Sequence, residues 1–94
     1  MARDELMRRL AARYAWWLSS DEALARTTLV LCQLMQLGTW EDVVATRAII
    51  GDDALRQALR EAPPGVLDRR SWGFWNMFFG SNPPPPMPER RVPQ

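Results

Sequence analysis

The chain contains no histidine, no lysine and a single cysteine, Cys32. Without histidine it lacks the usual general base at neutral pH and the commonest metal ligand. Without lysine it has neither a Schiff-base lysine nor a phosphate-loop lysine. One cysteine excludes an intramolecular disulfide and any multi-cysteine zinc or iron–sulfur site. Charge of one sign is also scarce: net charge is +1, so no strong field points toward nucleic acid or a membrane surface. The opening MARDELMRRL has no long apolar run. It therefore predicts neither a signal peptide nor a membrane span, and a cytoplasmic location.

What is present is apolar. Hydrophobic residues make up 47% of the 94 residues, enough for a core, although a domain of about 80 residues is marginal as a monomer. Leu6, Leu10, Tyr14 and Trp17–Leu18 recur at helical spacing and predict a first helix over Arg3–Leu18. Ser19 followed by Glu22 reads as a capping box opening a second, nearly all-apolar helix that runs to about Leu37 and belongs at the centre. Thr39 and Asp42 open a third helix through Ile50. Gly51 ends it, and Asp52 begins a fourth, stopped by Pro63–Pro64–Gly65. Asp68 or Ser71 caps a fifth, Arg69–Phe79. No segment alternates with period two. The predicted fold is all-α: a compact bundle of about five short helices over residues 1–80, followed by an extended proline-rich tail over 81–94.

The acid pairs Asp4–Glu5, Asp21–Glu22, Glu41–Asp42 and Asp52–Asp53 invite a reading as general acid/base or Mg²⁺ sites. Each falls in or beside a predicted first helical turn, where negative charge complements the helix dipole, and that structural reading is preferred. Cys32, in the most apolar helix, reads as packing. Neither a catalytic residue, a metal ligand nor a cofactor is expected, and the chain reads as a non-enzyme. Residues 40–61 can be inspected as a helix-turn-helix. The acids Asp52 and Asp53 at the start of its second helix would repel phosphates, which argues against DNA reading.

Five aromatics crowd the last predicted helix. Trp72, Trp75 and Phe79 share one face, and Phe74 and Phe78 another. One core contact can absorb one face; a bundle that wraps both sides is the alternative. Exposed aromatic surface marks an interface. The tail, SNPPPPMPERRVPQ, favours polyproline II. It reads as a stiff arm carrying Pro85, Pro86, Met87, Pro88, Arg90 and Arg91 to a partner, or as a terminus without a role. Pro85-x-x-Pro88-x-Arg90 also matches a short pattern bound by SH3 domains. The candidate partner-binding set is thus Trp72, Phe74, Trp75, Phe78 and Phe79 with those six tail residues. Two rivals follow from the same features: a homo-oligomer closed over the aromatic faces, and a helical DNA-binding regulator.

Three segments stand in a characteristic order: LMQLGTWEDV, then RAIIGDDALRQAL, then LDRRSWGFWNMFFG, followed by a proline stretch and MPERR. In this order they resemble a family of short bacterial helical proteins encoded beside nucleotidyltransferase-like toxins of the abortive-infection type, their antitoxins. The carrying residues are the G-[T/D]-x-E-D step, the I-G-x-x-x-L-x-x-x-L helix and the D-x-R-[S/T]-x-x-F-W run. With the tail they span about two thirds of the chain. The resemblance implies a protein that binds a nucleotidyltransferase-fold toxin and keeps it inactive. It leaves the first helix uncovered and carries no residue-level inhibitory contacts.

Overall fold

The computed structural model describes residues 2–88, which form six α-helices and no strand: α1 Arg3–Tyr14, α2 Ser20–Ala25, α3 Thr27–Leu37, α4 Trp40–Ile50, α5 Asp52–Arg60 and α6 Arg69–Phe78. Among the described residues no helix is long and apolar enough to cross a membrane. α3 is the central element, packed against α1, α2, α4, α5 and α6. Its burial follows from composition: Leu29, Val30, Leu31, Cys32, Leu34 and Met35 are all buried, so nearly every side of the helix needs cover.

Local signals set most boundaries. The Ser19 hydroxyl accepts from Glu22 N and the Glu22 carboxylate accepts from Ser19 N, both at 3.1 Å, closing the capping box. Thr39 Oγ1 accepts from Asp42 N at 3.2 Å, and Asp68 Oδ1 from Ser71 N at 2.8 Å. Asp68, rather than Ser71, is therefore the cap of α6. Between α4 and α5 the chain turns at Gly51 with φ of 83°, a left-handed conformation that side chains with a Cβ resist.

Two expected helices are interrupted. The predicted first helix stops at Tyr14 because Ala15 leaves helical geometry, with φ −144° and ψ 50°. Ala15 is fully buried, and the small side chain lets the chain turn hard against the core, with Leu18 N donating to Ala15 O at 2.9 Å. Trp17 thus lies outside α1. The predicted second helix divides at Arg26, with φ −121° and ψ 49°, into α2 and α3. Hydrogen bonding continues on both sides, from Arg26 N to Glu22 O and from Val30 N to Arg26 O. The bend lets α2 pack on α1 while α3 passes through the centre. Thr27 and Thr28, β-branched and weak helix formers, make the break inexpensive.

The deepest side chains are Met7, Val30, Cys32, Leu34, Thr46 and Leu55. Their polar atoms are satisfied locally. Thr46 Oγ1 donates to Asp42 O at 2.7 Å, and Cys32 Sγ donates to Ala58 O at 3.3 Å. Burial pushes the Cys32 thiol up to about 12, so it stays protonated. Leu34→Ala should remove about 2–5 kcal/mol of stability by leaving a cavity in the core. In urea titrations the midpoint should fall with the slope unchanged.

Candidate protein-docking face

α6 divides its aromatics between inside and outside. Trp72 and Trp75 are 5% and 4% exposed, while Phe74 and Phe78 are 44% and 37% exposed. Polar partners fix the division. Trp75 Nε1–H donates to Met35 O at 2.8 Å, and Trp72 Nε1–H donates to Pro85 O at 2.7 Å, meeting the need of a buried indole for an acceptor. Asn76, also buried, donates from Nδ2 to Trp72 O at 2.9 Å. Of the candidate residues, then, Trp72 and Trp75 are core residues rather than surface anchors, because their rings and N–H groups are already engaged within the bundle. Phe79 is half-buried against the core.

Outside, the rings form one surface. Phe74 and Phe78 stack with centroids 6.0 Å apart, and Phe78 meets Phe79 edge to face at 5.1 Å. Trp40, 52% exposed, stands edge-on to Phe78 at 5.9 Å and lies over Trp75 at 6.4 Å. Leu37 and Met77 are also exposed. Sequence spacing did not single out Trp40. It lies three residues before the buried Val43, on the stripe that faces the core, but in the first turn of α4 it overhangs the edge of the bundle onto α6. A second exposed pair, Trp16 and Trp17, packs edge to face at 5.9 Å at the corner after α1. The premature end of α1 puts it there, which helical periodicity could not show.

Charged groups frame the face. The Arg47 guanidinium lies 5.1 Å from the Phe78 centroid while Nε and Nη2 reach Asp52 Oδ1 and Oδ2 at 2.6 and 3.0 Å. The Asp52 carboxyl is held below its usual range chiefly by Arg47. Arg56 covers Phe79 at 5.3 Å and pairs with Asp53 at 2.9 Å. A polar knot between α1 and α4 flanks Trp40 in sequence, at Thr39 and Asp42. The Tyr14 hydroxyl donates to Asp42, Arg13 Nη1 donates to the same oxygen at 2.7 Å, and Thr39 N donates to Tyr14 Oη at 3.3 Å.

The proline stretch, as far as Pro88, comes back onto the bundle. Pro85 is latched by Trp72 and lines a cleft with Arg56, Leu59, Arg60, Asn76 and Phe79. Met87 is half-buried against the core. Pro85 and Pro86 are exposed, and Arg90 and Arg91 lie outside the described residues. Among the described residues no group of three acids or cysteines is placed to hold a metal ion. Comparison of the chain with protein-family models, with curated proteins and with solved structures gives no match.

The hydroxyl of Tyr14, and then Arg13, hold the Asp42 carboxyl below its usual range. A depressed folded-state value means that this stabilisation is complete above about pH 4, near the ordinary carboxylate pKa, and is lost as the pH falls through the lowered value. Asp42→Asn should therefore be less stable than the parent at pH 7, and the gap should close in acid. Melting temperatures across pH 2–7 measure this.

Proposed function

We propose that the chain is a non-catalytic protein-binding module, antitoxin-like, acting in the bacterial cytoplasm. Through the Trp40–Phe74–Phe78 face it docks on a nucleotidyltransferase-fold toxin and neutralises it by steric cover. The protein-binding part is carried by one observation: a contiguous exposed aromatic surface, built from α4 and α6, on a domain of fewer than 100 residues. Such patches on small proteins mark interaction sites, and Trp and Phe set in a rigid frame make strong anchors. The identity of the partner rests on the resemblance over Leu34–Gly80.

Chemistry supports the non-catalytic part. The chain has neither histidine nor lysine. Its one thiol is buried and held protonated. Asp42 and Asp52 are engaged by Tyr14, Arg13 and Arg47, and Asp68 by Ser71 N and Gln36. A DNA-reading role for α5 gains no support from Arg56, which is turned onto Asp53 and Phe79. Self-association over the same face is the rival that the exposed rings also permit.

Co-expression with the product of the adjacent gene tests the proposal. The two proteins should co-purify and the neighbour's toxicity should fall. The Phe74→Ala/Phe78→Ala double variant should keep its helical circular dichroism, because both rings are at the surface, yet lose binding by about a hundredfold or more. Separate elution with undiminished toxicity contradicts the proposal. A dimer of the isolated chain in light scattering, lost in the double variant, favours self-association instead.

A further inference from the structure

Beside the exposed rings lies a groove of about 340 Å³ between α4 and α6, within the size range that holds a small ligand or a buried anchor group. Trp40, Val43, Phe74 and Trp75 supply its apolar walls, Gly38 part of its floor and Arg70 its cationic rim. A Cβ on Gly38 would run into the Leu34 carbonyl and side chain, so the α3–α4 junction has no room for a larger residue.

Arg70 differs from the other arginines around the aromatic face. Arg47 and Arg56 are each held by a carboxylate and a ring. The Arg70 side chain is exposed and makes no hydrogen bond or ion pair among the described residues, and the same holds for the side chain of Arg69 beside it. Both stand in the first turn of α6, where a cation opposes the helix dipole. The first turns of α1, α2, α4 and α5 all carry acids instead. Asp68, the nearest acid in sequence, is already bonded to Gln36 and to Ser71 N. The placement of Arg70 thus brings the fold no ion pair. It leaves a positive charge facing outward over an apolar trough.

We propose that this groove receives an acidic–apolar segment of the protein partner: one aromatic or long aliphatic side chain seated on Trp40, Phe74 and Trp75, with a neighbouring carboxylate paired to Arg70. The inference rests on the protein-binding reading and adds the chemistry of what is bound. A carboxylate at that rim gains the guanidinium fork of Arg70, next to apolar surface that excludes water from one side. A basic segment is repelled by the same rim, which gives the groove a sign preference.

Random dodecapeptides displayed on phage and selected against the immobilised full chain provide the test. Enriched peptides should carry Asp or Glu within about four residues of a bulky apolar side chain, the reach of one helical turn. A fluorescein-labelled peptide from that pool should bind Arg70→Glu about tenfold or more weakly and Arg70→Lys within about threefold of the parent, and should weaken as salt is raised. Phe74→Ala should weaken it as well. Peptides that need Phe74 but show no acid preference and ignore Arg70→Glu overturn the acidic partner and leave the protein-binding reading standing. Failure to enrich any peptide sensitive to Phe74→Ala overturns the groove as a docking site, whatever co-expression with the neighbouring gene shows.

Discussion

The indole of Trp75 organises the half of the molecule that carries the exposed aromatic face. Its ring is buried between α3 and α6, and its N–H donates to the carbonyl of Met35, which sits in the last turns of α3. That single bond ties the axial rotation of α6 to the central helix. With Trp75 inside and no further element among the described residues packed over the other side of this ten-residue helix, Phe74 and Phe78 face out. Trp72, one turn earlier, reinforces the same rotation by donating to Pro85. Breaking the Trp75 bond would strand a buried donor, at a cost of about 1–3 kcal/mol, so the helix is not free to roll.

Trp40 completes the surface from the other side. It covers the outer face of Trp75 at 6.4 Å, and its neighbours Thr39 and Asp42 are tied to α1 by the knot with Tyr14 and Arg13. The face is therefore assembled from two elements fixed by different interactions: an indole–carbonyl bond beneath α6 and a polar knot beside α4. Its flanking charges follow a division of labour. Arg47 and Arg56 brace rings and satisfy acids, whereas the Arg70 side chain carries its charge at the groove rim without an ion pair among the described residues.

Much of this is legible in the sequence. Short-range polar signals were reliable: Ser19 with Glu22, Thr39 with Asp42, and Gly51 at the turn all act within a few residues and depend little on tertiary context. The all-α class and the central place of the segment through Cys32 followed from periodicity and composition. So did the separation of Trp72 and Trp75 from Phe74 and Phe78, although spacing could not say which face would be buried. Breaks within apolar runs were invisible. Ala15 and Arg26 leave helical geometry because of how α1, α2 and α3 pack on one another, and neither residue is a helix breaker by type. The return of Pro85 onto Trp72 was equally hidden, since a proline run shows stiffness but not direction. Trp40 escaped notice because spacing places it on a buried stripe while its position in the first turn sets it over the edge.

The division of α6 can be observed directly through its indole protons. The chain has five tryptophans, each with one indole N–H that gives its own resonance. Hydrogen exchange followed by nuclear magnetic resonance should find two of these protected, those of Trp72 and Trp75, which donate to Pro85 and Met35. The three from Trp16, Trp17 and Trp40 should exchange rapidly. If Trp75 exchanges as fast as Trp16 in the native state, α6 is not held in this rotation, and the aromatic face described here does not exist.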